Sequence, residues 1–184
     1  MLAITGQNID AFVGYADGGF DRTQSPTEQA DKLYGFGVEN LDLGVLITKA
    51  GGQSYTAVKA RMDDARLYGF DPEVFELSAQ GLSFEYSNKA GDGSTLDYAA
   101  SFGPDGLALG STGNVYIDLA AGERLGVFAE TATLSISQFL YFSGAIGFEK
   151  ADFGNALKAG ATATQVIAAK GFAVGGSNIT AFVG

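Results

Sequence analysis

The chain has 184 residues, a net charge of −10, 27 glycines, 14 Phe, 8 Tyr and no Cys, His or Trp. Without Cys there are no disulfides or thiolate metal sites, and without His the commonest general base and transition-metal ligand are missing. The negative charge argues against nucleic acid and anionic membrane as partners, while the length suffices for one domain burying about 70% of its unfolded surface.

The first strand-like segment, Ile4–Gly14 (ITGQNIDAFVG), returns as the last eleven residues, Val174–Gly184 (VGGSNITAFVG), at an offset of 170 and with seven positions identical. Burial alone would not require Asn8/Asn178 and Gly14/Gly184 to match. The pattern reads as a tandem array, with 1–170 as one all-β repeat unit and 171–184 as the opening strand of the next. The predicted partners are neighbouring copies of the chain, meeting through 4–14 and 174–184.

After the first strand come Asp17 and Asp21 around Gly18-Gly19, then Ser25-Pro26-Thr27-Glu28, a capping box that predicts a short helix near 27–33. Beyond it, Gly-bearing loops separate strand-like runs. Lys49–Gln53 divides Leu41–Thr48 from Ser54–Met62; Asn88–Gly93 divides Leu82–Ser87 from Thr95–Phe102; Ala120–Glu123 divides Val115–Leu119 from Leu125–Thr133. Each is read as a hairpin.

A shorter period runs through these elements. Aligned on Asn8-Ile9, related segments centre on Ile9, Leu41, Leu82, Val115, Ile146 and Ile179, spaced 32, 41, 33, 31 and 33 apart. The residue before each anchor is Asn8, Asn40, Gly81, Asn114, Ala145 and Asn178. Period-two alternation places Leu41/Leu43, Leu82/Phe84, Val115/Ile117 and Ile146/Phe148 on one face, predicted to be a continuous core, with Asp42, Glu85 and Asp118 opposite. The expected fold is therefore all-β: antiparallel sheet or sheets built from about five hairpins of ~32 residues, with a solenoid as the alternative. The eighteen uncharged residues between Glu130 and Glu149 include Thr131, Ser135, Gln138, Gly144 and Gly147, a content that fits strands rather than a spanning helix.

Chemistry would have to rest on carboxylates, hydroxyls or Lys. Asp63-Asp64 and Glu73/Glu76 are acidic pairs of a kind any acidic β-protein offers, and no nucleophile-elbow or phosphate-loop pattern is present, so the chain is read as no enzyme. No cofactor is called for. Calcium is the one cation with candidate ligands, Asn88, Asp92 and Asp97 around Gly91 and Gly93, and Asp17 and Asp21 around Gly18-Gly19, though neither loop has EF-hand spacing. The aromatics of QFLYFSG (Phe139, Tyr141, Phe142) and of the twin LYGF segments (Tyr34/Phe36, Tyr68/Phe70) are read as core filling.

The phrase Asn-Ile-x-Ala-Phe-Val-Gly at 8–14 and 178–184, with VENLDLGVLI (Val38–Ile47), SYTAVKARMDDARLYGF (Ser54–Phe70), LSAQGLSFEYS (Leu77–Ser87) and STLDYAASF (Ser94–Phe102), resembles tandem repeats of giant secreted or surface-attached bacterial proteins, adhesin-like exoproteins. That resemblance implies an extracellular or cell-surface location, array architecture and a structural role in adhesion, surface layers or filaments. It supplies no catalytic residues. Two other functions fit the alternation: a β-module for an apolar ligand such as a lipid, and a small outer-membrane β-barrel.

Overall fold

The computed structural model describes residues 1–110, 115–157 and 166–184, with side chains described for these except 151–157 and 166–169. Seven long antiparallel strands form one sheet in the order β1 (Leu2–Ala16), β2 (Leu33–Ala50), β3 (Gln53–Tyr68), β4 (Phe75–Ser87), β7 (Arg124–Ile136), β8 (Leu140–Leu157) and β9 (Val166–Val183). The sheet is an open meander in which β1 and β9 are the two edges. The excursion between β4 and β7 carries α1 (Tyr98–Phe102) and a small hairpin, β5 (Leu107–Leu109) with β6 (Val115–Ile117).

Of the three predicted hairpins, only β2–β3 forms, closed at Ala50↔Gln53 with Gly51 at φ 57° and Gly52 at φ 80°. Two positive φ values match the twist of the flanking strands, and glycine reaches them without a Cβ clash. Residues 95–102 are not a strand: Asp97 accepts the Ala100 N–H at 2.7 Å and caps α1. β4 therefore pairs with β7, and β6 with β5. The capping box does form, Ser25 N–H donating to Glu28 Oε2 at 2.8 Å and Glu28 N–H to Ser25 Oγ at 3.4 Å, at the start of a 3-10 helix over Thr27–Lys32.

The position of the core corrects the sequence expectation. Leu46, Ala57, Tyr98, Leu109, Ile117 and Leu119 make the buried cluster, each at most 3% exposed. Gly44 lets the β5–β6 hairpin settle on the sheet, since a Cβ there would meet Val115 Cγ1 at 2.8 Å. Leu46 and Ala57 lie on the face opposite Leu41 and Leu43. Leu41, Leu43, Leu82, Phe84 and Phe148 are half-buried and Ile146 is exposed; of the anchors named as core, only Val115 and Ile117 are buried, and they belong to the inserted layer. Alternation identified an apolar face, but the inserted layer covers the other one.

A second, smaller cluster lies under residues 17–32. Pro26 and Gln29 are buried, and a Cβ on Gly37 would meet Tyr68 Cε2 at 2.8 Å and Pro26 Cβ at 3.0 Å. Phe12 stacks on Phe20 at 5.5 Å and meets Tyr68 edge-on. Residues 57 and 68 of β3 are an odd number apart on a strand with no positive-φ residue, so the two coverings lie on opposite faces and towards opposite ends.

Candidate functional site: two matched sheet edges

The recurring Asn or Gly before each anchor has a backbone role. Asn8 (φ 50°), Asn40 (φ 51°), Gly81 (φ 58°) and Asn178 (φ 53°) are all left-handed, a region that Asn and Gly enter at least cost. Asn114 lies outside the described residues, and Ala145 adjoins a shift in the β8–β9 register. Together with Asp63 and Glu130 these positions mark a seam across the sheet, where the pairing skips or slips on every strand. At its β1–β2 end the seam is held reciprocally: Asn8 N–H donates to Asp42 Oδ1 and Asn40 N–H to Asp10 Oδ1, both at 3.0 Å, and Asn40 Nδ2 reaches Asp63 Oδ2 at 3.0 Å. On β1, β2, β4 and β9 the 32-residue period thus records a left-handed position within the strand.

The near-identical segments 4–14 and 174–184 fall on β1 and β9, at the two opposite edges. Both edges are long and apolar. Leu2, Ile4 and Val13 are 53–77% exposed on β1, and Val174, Ile179 and Val183 are 52–80% exposed on β9. Edge strands of this length without lysine, proline or a covering element are templates for pairing with another chain. Lys170 is the one Lys or Arg on β9, near its start, and β1 has none. The boundary drawn at 170/171 falls inside β9, which pairs with β8 from Val166 to Val183.

The acidic candidates serve their own turns. Asp92 accepts both the N–H (2.9 Å) and the hydroxyl of Ser94, which hold its carboxyl below the ordinary range, hydroxyl first. Asp21 is lowered in the same way by the Thr23 hydroxyl and N–H. Asn88 takes the Thr56 N–H and donates to Ser54 O, pinning the chain as it leaves β4. Asp97 caps α1, and Asp17 N–H donates to Lys32 O at 2.9 Å. Asp17 and Asp21 belong to one excursion and Asn88, Asp92 and Asp97 to the other; among the described residues no three His, Cys, Asp or Glu side chains gather in one place.

Most of these aromatics are not core filling, and Phe142 is half-buried. Tyr68 is buried, whereas Tyr34, Phe36, Phe70, Phe139 and Tyr141 are 39–68% exposed. An open groove of about 610 Å³ runs over β4, β7, β8 and β9, floored by Gly126, Gly147 and Gly175. Its rim carries Arg124, paired with Glu85 at 2.9 Å and Glu149 at 3.3 Å. No described helix is long and apolar enough to cross a membrane, which leaves strand-spanning architectures unaddressed. The described sheet does not close on itself. No protein-family model, curated protein or solved structure matches this chain.

Proposed function

We propose that this chain is a non-enzymatic structural or adhesive repeat of a large extracellular bacterial protein, working through association with copies of itself in an array or filament. One observation carries the reading: a duplicated sequence occupies both edges of a single open sheet. Such an arrangement suits a module that continues into its neighbour. The apolar residues of β7, β8 and β9 that are exposed among the described residues agree with it, since a single layer of sheet gains by being extended or covered. The extracellular setting rests on the resemblance to surface-protein repeats.

Light scattering across a concentration series tests the self-association. Mass should rise with concentration, and Val174→Lys with Val183→Lys on the β9 edge should return the chain to monomer while leaving the melting temperature within a few degrees. Both side chains are more than two-thirds exposed, at 71% and 80%, so the lysines burden the edge and not the core. A chain that stays monomeric at millimolar concentration defeats the reading.

A further inference from the structure

β1 and β9 share a sequence but have different neighbours: β1 lies on β2, and β9 on β8. In a seven-stranded antiparallel meander the first and last strands run in the same direction. A second copy placed alongside by translation would set β9 against β1 in parallel, breaking the pattern of the sheet. In a head-to-tail array, antiparallel continuation requires β9 of one copy to lie on β2 of the next, in the place that β1 holds. Resting on the array reading above, the geometry points to strand substitution: copies join when β9 of one displaces β1 from β2 of another.

The local structure of β9 is already that of β1. Asn8 and Asn178 are left-handed to within a few degrees, at φ 50° and 53°. In both strands an isoleucine folds back over the glycine three residues earlier: a Cβ on Gly6 would strike Ile9 Cδ1, and one on Gly176 would strike Ile179 Cδ1 at 2.7 Å. A phenylalanine also leans over the glycine two residues later, Phe12 Cζ over Gly14 and Phe182 Cζ over Gly184. Matching sequence has built the same bend and the same side-chain folds, although one strand rests on β2 and the other on β8.

The seat on β2 accepts this copy position by position. The pairs Ile4↔Val45, Gly6↔Leu43, Ile9↔Leu41, Ala11↔Val38 and Val13↔Phe36 become Val174, Gly176, Ile179, Ala181 and Val183 on the same β2 residues at the 170 offset. The tightest point is Gly14, where a Cβ would meet Tyr34 O and lie 2.8 Å from Gly35 Cα; β9 brings Gly184 there. Asn178 offers Asp42 the N–H that Asn8 offers now. Asp10, which accepts the Asn40 N–H, is replaced by Thr180, whose hydroxyl oxygen can accept the same bond. Each copy then adds six strands to a continuous sheet, about 29 Å at ~4.8 Å per strand.

Substitution trades one strand for its near-twin, so the number of strand pairs is conserved. Within one chain β1 holds the advantage of an effective concentration in the millimolar range. Exchange should therefore grow with protein concentration and be captured by a covalent trap. The chain has no cysteine of its own. The 184-residue chain carrying Val38→Cys and Ala181→Cys cannot close that bridge internally, because β2 and β9 are five strand intervals apart, about 24 Å against a reach of ~7 Å. Mild oxidation at high concentration should give a ladder of disulfide-linked multimers that collapses with reductant. Ala11→Cys with Val38→Cys should instead lock β1 onto β2 within the chain, and the oxidised form should lose concentration-dependent association that reductant restores. A ladder from Ala11→Cys with Ala181→Cys but not from Val38→Cys with Ala181→Cys overturns substitution while leaving the array reading standing, as parallel edge contact. A locked chain that associates as before also overturns it. No ladder from either pair, with no association by light scattering, ends both.

Discussion

β1 to β3 and β7 to β9 are built from similar strands, yet they differ in what covers them. Over the first three, the β5–β6 layer packs on one face and residues 17–32 on the other, bringing Leu46 to 0%, Ala57 to 0% and Tyr68 to 4% exposure. Over the last three, Val127, Phe128, Ile146 and Val174 remain 39–71% exposed. Strand sequence alone did not create a core; the insertions did. Stability should therefore be concentrated in β2, β3 and the layers packed on them, while the β7–β9 region, like the β1 edge, contributes surface.

The sharpest way to break this comparison is to truncate one apolar residue in each region. Leu46→Ala should cost about 2–5 kcal/mol, the range for a buried leucine whose site cannot collapse. Ile146→Ala should cost about 1 kcal/mol or less, because its side chain already meets solvent. Urea unfolding of the two variants measures both, and equal losses would mean that the β7–β9 region is covered in solution.

The seam sharpens it next. Asn40→Ala puts a Cβ-bearing residue without a local hydrogen bond into a left-handed site, which costs about 1–2 kcal/mol, and it deletes the bond to Asp63. Asn40→Gly should recover the conformational part, leaving only the lost side-chain bond. If Ala and Gly are equally harmful, the seam is held by the side chain and not by the backbone.

How far the sequence disclosed this fold can be argued from these residues. Strand character, antiparallel pairing, the helix at 27–33 and the Gly51-Gly52 turn were legible because each is a local preference. The hairpin partners of β4 and β6 were not, since Asp97 favours a helix cap only once Tyr98 has a core to enter, and that core is assembled from residues 46 to 119. The Asn before each anchor was visible as a period, but a period does not say whether it marks burial or bending. Among the site expectations, the duplicated ends could be read directly, while their placement at opposite edges required the strand order.

A smaller effect is expected inside the covered region. The Tyr98 hydroxyl is buried without a hydrogen-bond partner among the described residues, and burial, with Tyr55 nearby, pushes its pKa up. Tyr98→Phe should stabilise the chain by about 1 kcal/mol, the lower end of what an unsatisfied buried polar group costs. A loss on that substitution would reveal a partner for the hydroxyl.

The smallest effect, and the most specific, concerns pH at Asp64, next to the seam residue Asp63. Asp64 has a side chain only 16% exposed, and Oδ1 has no hydrogen-bond partner among the described residues. Burial raises its pKa above the ordinary 3.8, Glu39 adds to the rise, and Arg66, whose Nη2 lies 3.5 Å from Oδ2, opposes it. An acid with a raised folded-state pKa holds its proton more tightly folded than unfolded. Its contribution therefore favours folding below pH 3.8 and is lost as pH climbs through the raised value. Asp21 and Asp92, whose values are lowered, act oppositely: their stabilisation is present above 3.8 and lost as pH falls through their folded-state values. The overall acid curve mixes these signs, but Asp64→Asn isolates one of them. Removing the carboxylate also removes the pair with Arg66, so the absolute offset between variant and parent carries little meaning. The slope does carry meaning: the stability of Asp64→Asn relative to the parent should rise as pH increases from below 3.8 towards neutrality, then level off. Denaturant titrations at a series of pH values read that difference directly, and a flat difference would mean that solvent reaches Asp64 as freely as it reaches the exposed turns.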